Sequence, residues 1–173
     1  MSFSIRTFGD EVLRKKARPV LKITPQIEKL ALEMVRLMID ADAVGLAATQ
    51  IGELHRIFVM RNEVENENGE FSFLEPEIII NPQLSNPSSE TEAMSEGCLS
   101  LPGITLEIQR PKSIHLRYQT LDGSFKEETL LDLRARIAMH ENDHLNGVLI
   151  LDRADPKDKK RALKRLKEDY LGQ

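Results

Sequence analysis

Apolar residues recur at helical spacing in three segments of the chain. Ile27, Leu30, Ala31, Met34, Met38 and Ala41 fall on one face, and Thr24-Pro25 supplies an N-cap and a proline at the first helical position, so a helix is expected to start there. A second helix is expected from about Leu133 to Leu145, with Asp132 as cap and Asn146-Gly147 as stop signal. A third opens at Asp155-Pro156, carries Asp158 in its first turn and presents Leu163, Leu166 and Tyr170 as an apolar stripe. Between the first two, the pattern turns strand-like. Arg56–Met60 and Glu77–Ile80 are short apolar runs rich in β-branched residues. Ile114, Leu116 and Tyr118 alternate with polar positions, and Leu121-Asp122-Gly123 offers a turn into Phe125–Leu130. Val148–Leu151 reads as a last strand. The order helix, strands, helix, helix argues for an α+β fold rather than alternating βαβ units.

The chain has 173 residues, of which 40% are apolar and 30% charged, the balance of one globular domain spanning residues 1–173. Neither a secretory h-region at the start nor an 18-residue apolar stretch is visible, so a cytoplasmic protein without a membrane partner is expected. The net charge of −4 is unevenly spread. Asn62 to Gln109 holds ten glutamates and no Lys, Arg or His, which suits no DNA groove. Residues 152–173 hold eight Lys or Arg against five Asp or Glu, and the run KDKKRALKRLK is where RNA or another anion would dock, if it is more than a solvated helix face.

His140-Glu141-Asn142-Asp143-His144 places two histidines one turn apart on a helix, able to point at one ion, with Glu141 close enough to reach a metal-bound water without being a ligand. Five-residue patterns of this kind also arise by chance. Two core histidines would each need a buried partner, however, and one metal satisfies both. A third ligand is needed. The metzincin continuation fails, because Ile150 stands where its third histidine belongs. Two candidates stay open: Glu168, as in a zincin-like protease, and the lone Cys98 in Glu96-Gly97-Cys98-Leu99-Ser100, which is otherwise a small buried hydrophobe. In Val44-Gly45-Leu46-Ala47-Ala48-Thr49-Gln50 the small residues would let a ligand approach the backbone, and Gln50 offers a neutral donor; tight packing would explain the same residues.

Taken together, GLAATQ, EGCLS and HENDH in this order and spacing resemble the peptide deformylase family, and EGCLS followed by Leu101-Pro102 resembles its type I bacterial branch. Two positions depart from the family's usual pattern, Ala43 for a glycine and Met139 for a glutamine. The resemblance implies strands, mixed or antiparallel, packed around a central HExxH-bearing helix, with a C-terminal helix. It implies that Cys98, His140 and His144 hold one divalent ion, Fe2+ as usual in the family, with Zn2+, Ni2+ or Co2+ able to take the same ligands. Glu141 would take a proton from water and return it to the leaving amine of an N-formylmethionyl nascent peptide, releasing formate. The ion, the Gln50 amide and the Leu99 backbone N–H would hold the oxyanion. Val44, Met94, Leu133 and Ile137 would line the methionine pocket, with Glu96 nearby and Gly45 and Gly97 beside the substrate. The basic C-terminal helix would be a ribosome-docking element. A non-enzymatic reading, a ribosome-associated module with a decayed site, is opposed by the presence of Gln50, Cys98, His140, Glu141 and His144 together.

Overall fold

A computed structural model describes residues 3–171, with side chains through Asp169. Helix α1 (Pro25–Asp40) begins where the sequence predicts: the Thr24 hydroxyl accepts from the Ile27 N–H, and Pro25 needs no donor partner. Five strands follow in one sheet of order β1-β2-β5-β8-β9, from β1 (Gly45–Ala47), β2 (Ile57–Met60), β5 (Glu77–Ser85), β8 (Ser113–Gln119) and β9 (Phe125–Leu131), with every neighbouring pair antiparallel. Strands β3 (Glu63–Glu65) and β4 (Phe71–Phe73) form a separate hairpin, as do β6 (Thr91–Gly97) and β7 (Thr105–Pro111). Helix α2 (Asp132–Leu145), the short α3 (Ile150–Arg153) and α4 (Pro156–Leu171) complete the chain. The architecture is α+β.

Strand β2 explains the layering. Its run Ile57-Phe58-Val59-Met60 has no polar position because both faces are buried. Ile57 and Val59 pack with Ile27, Leu30, Met34 and Met38 of α1, whereas Phe58 and Met60 pack with Ala135, Ala138 and Met139 of α2. The sheet is thus held between the two helices, and each such buried side chain contributes about 1.5–3 kcal/mol. A third apolar cluster joins Leu106 and Ile108 of β7 to Leu149, Ile150 and Leu151 and to Ala162 and Leu166 of α4. That cluster seats the β6–β7 hairpin against the end of the chain. The Tyr170 side chain lies outside the described residues; Leu163 and Leu166 carry the α4 stripe with Ala162.

Val148–Leu151 is not a strand. The chain enters α3 instead, because the Asp152 carboxylate accepts from the Leu149 N–H and caps a single helical turn. Gly147 stops α2 in the left-handed region, at φ +72°, and a Cβ there would lie 2.5 Å from the Arg14 carbonyl oxygen. No helix among the described residues is long and apolar enough to cross a membrane.

Candidate metal centre and cleft

Helix α2 packs against β1, β2, β7, β8 and β9 and presents His140 and His144 one turn apart, with the end of β6 delivering Cys98 beside them. His144 Nε2 lies 3.3 Å from Cys98 Sγ and 3.3 Å from His140 Nε2, and the three candidate ligand atoms all fall within 4.8 Å of one another. A tetrahedral ion with bonds of about 2.0–2.3 Å sets its ligand atoms roughly 3.3–3.6 Å apart, so sulfur and nitrogens stand at nearly the spacing one ion requires. Glu168 does not join them: it is exposed on α4 and pairs with Lys164 at 3.8 Å.

One imidazole, His140, is oriented from behind, whereas the buried His144 Nδ1 has no hydrogen-bond partner among the described residues. His140 Nδ1 is 2.9 Å from Glu96 Oε2, which fixes the ring with Nε2 toward the cluster. Glu96 is in turn gripped by Arg110, through Nε at 2.7 Å and Nη2 at 3.0 Å, and by Arg136 Nη1 at 2.6 Å. Arg110 Nη1 also donates to Asp143 Oδ2 at 2.9 Å. Burial alone would raise the Glu96 carboxyl, but its hydrogen bonds to His140 and Arg110 and the Arg110 charge override burial and hold it at about 2. Burial keeps His144 well below its ordinary value, in the neutral form that ligates metals. Burial opposes protonation of His140 as well, yet hydrogen bonds to Cys98 and Glu96 outweigh it and raise the group to about 10. The Glu96 and Glu141 carboxylates beside His140 favour positive charge at that ring.

Glu141 is buried beside the cluster, and burial pushes its carboxyl up to about 7. Its Oε2 has no hydrogen-bond partner among the described residues. A Cβ on Gly45 would lie 2.4 Å from Glu141 Oε1, so the β1 backbone comes this close only because the residue is glycine. Gln50 sits on a 3-10 turn after β1; its Oε1 accepts from the Ala47 N–H at 2.9 Å, while Nε2 donates to Ser100 Oγ at 3.2 Å and lies 3.7 Å from Cys98 Sγ.

Most of these groups open on one cleft of about 630 Å3. Val44, Gly45, Gln50, Met94, Glu96, Gly97, Cys98, Leu99, Leu133, Ile137, His140 and Glu141 line it; His144 lies behind. Ile137 is buried, whereas Met94 and Leu133 are 37% and 41% exposed and stand at the mouth rather than in the interior. The Glu96 carboxylate is fully engaged with its three cationic or ring partners, which makes it a support for His140. Sequence reasoning missed Arg110, Arg136 and Asp143. A signal existed for Arg110: Leu106, Ile108 and Arg110 share the buried phase of β7, where a charge demands a buried partner.

A family model described as polypeptide deformylase matches residues 2–160. A peptide deformylase of Thermotoga petrophila is 47% identical over 154 residues, covering 89% of this chain and 88% of that protein. The crystal structure of peptide deformylase from Thermotoga maritima superposes with a TM-score of 0.80 at 44% identity, over 90% of this chain and 99% of that one. That from Ehrlichia chaffeensis gives 0.90 at 32% identity over 99% and 98%. A class I type b peptide deformylase from Acinetobacter baumannii, solved with Met-Ala-Ser bound, gives 0.80 at 29% identity over 88% and 98%.

Proposed function

This chain belongs to the polypeptide deformylase family, and from that premise we propose a residue-level mechanism for removal of the formyl group from the N-terminal N-formylmethionine of newly made proteins. Cys98, His140 and His144 hold one divalent ion, and the observation that carries this reading is the convergence of one thiol and two Nε2 atoms at ligand spacing. A thiolate–imidazole set accepts Fe2+, Zn2+, Ni2+ or Co2+, and we take Fe2+ as the native ion. When bound, the ion supplies Lewis acidity and lowers the pKa of water. Glu141 takes a proton from the attacking water through its unpartnered Oε2, and later returns it to the leaving amine as formate departs. The Gln50 Nε2 amide, turning from its long 3.7 Å contact with Cys98 Sγ, and the Leu99 backbone N–H hold the developing oxyanion. Gly45 and Gly97 leave room for the substrate backbone, and Val44, Met94, Leu133 and Ile137 receive the methionine side chain.

Anaerobically purified protein should carry one metal per chain and release formate from formyl-Met-Ala-Ser, and Cys98→Ala should lose both. Full metal content in Cys98→Ala would remove the thiolate from the ligand set. Gln50→Leu should lower turnover by about 10²–10³-fold with little change in stability, as expected for one oxyanion donor. Wild-type turnover there would leave Gln50 a packing role only.

Residues 1–173 act as one domain, and we place the enzyme in the cytoplasm with no DNA or membrane partner. Along α4, Lys157, Lys160 and Lys167 are exposed, while Lys159, Arg161, Lys164 and Arg165 have acidic partners. That face docks on the ribosome. Deletion after Asp155 should weaken ribosome co-sedimentation, and binding by the intact chain should fall steeply with salt as counterions are released. Salt-insensitive binding would assign docking to another surface.

A further inference from the structure

The ion-pair chain behind His140 does not end in the core. Asp143 follows His140 by three residues and precedes His144 by one, at the end of α2 where its own carbonyl accepts from the Asn146 and Val148 N–H groups. Its carboxylate is shared. Oδ2 takes Arg110 Nη1 at 2.9 Å and Arg153 Nε at 3.1 Å, and Oδ1 takes Arg153 Nη2 at 2.6 Å. Arg153 is the last residue of α3, half exposed, and is the outermost link of a chain that runs through Asp143, Arg110 and Glu96 to His140.

We propose that Arg153 is a positioning residue for the metal centre: by its two-pronged grip on Asp143 it fixes the last turn of α2, and with it His144, and leaves Arg110 free to serve Glu96. This rests on the reading that Cys98, His140 and His144 hold the ion. Without Arg153, Asp143 depends on one Arg110 nitrogen. Arg110 is then the sole partner of Asp143 while it shares Glu96 with Arg136, and a shift of its guanidinium toward Asp143 slackens its hold on Glu96, the orienting partner of His140. The terminal turn also loses its clamp beside His144, while the Thr49 hydroxyl and the Gly147 N–H, each 3.1 Å from the His144 carbonyl oxygen, and the Arg56 guanidinium on Asn142 and Asn146 still hold it. Both histidines are affected by a side chain that touches neither.

The test is metal release. Wild-type, Arg153→Leu, Arg153→Lys and Arg161→Leu chains are loaded with Co2+, challenged with a chelator well below their melting temperatures, and followed through the thiolate-to-cobalt absorption band. Arg153→Leu should lose cobalt several-fold faster than wild type, less than the roughly 10–100-fold cost in affinity of removing a ligand's direct hydrogen-bond partner, because Arg153 acts through Asp143. Arg153→Lys keeps the charge but not the fork and should fall between. Arg161→Leu removes an exposed pair with Asp158 and should release at the wild-type rate. The proposal is overturned if Arg153→Leu releases cobalt at the wild-type rate, or if Arg161→Leu accelerates release equally. Absence of the thiolate band in the wild-type chain would overturn the metal reading itself, and the inference with it.

Discussion

Replacing Glu141 with alanine is expected to leave the metal in place and lower turnover by about 10²–10⁴-fold, the range of a positioned general acid–base group. Three features make this the largest catalytic effect expected of a residue outside the ligand set. The carboxyl is buried and raised to about 7, so it both accepts and donates a proton near neutral pH. One oxygen is free of partners, and the other rests against the Gly45 backbone, where no Cβ would fit. It is also absent from the ligand cluster. Metal content by elemental analysis, set beside formate release, separates the roles. Loss of metal in a folded Glu141→Ala chain would place this carboxylate among the ligands.

The largest effect on stability is expected at Arg110. Arg110→Met strips Glu96 of two hydrogen bonds and Asp143 of one, while both carboxylates stay buried. Removing one partner of a buried ion pair costs about 3–5 kcal/mol, equivalent in a chain of this size to a Tm lower by roughly 6–20 °C. The Arg36 pairs with Glu33 and Asp40 set the contrast: they are exposed and screened by water and salt, so Arg36→Met should barely shift the transition. Urea denaturation of both variants checks the contrast, and similar losses would mean that burial does not amplify the core network.

The sequence carried the site's chemistry better than its support. Thr24-Pro25 and the HENDH helix were legible because caps and helical spacing are local, but Asp132 is the first residue of α2 rather than its cap, which is Leu131 with no side-chain hydrogen bond. The clustering of His140 and His144 was legible because few side chains ligate metals, whereas Cys98 and Glu168 stayed open as the third member until the family resemblance favoured Cys98. Strand β6 was not, since six of its seven residues are exposed and show no alternation. Val148–Leu151 misled because a four-residue apolar run fits a strand or a buried turn equally well, and the Asp152 cap decides between them. The ion-pair chain lay hidden because Arg110, Glu96 and Asp143 sit on three elements, and pairing across elements leaves no trace in local spacing.

Cys98 opens the loop between β6 and β7, and the two histidines lie beyond β7, β8 and β9 in the sequence. An ion held by all three therefore closes a long loop, much as a covalent cross-link would, and binds no comparable site in the unfolded chain. Folding and metal affinity become one equilibrium, in which the folded state gains RT ln(1 + [M]/Kd), about 2.7 kcal/mol at a hundredfold excess over Kd. The melting temperature should rise with free metal even for an ion that supports no turnover, so that occupancy can be read from heat alone.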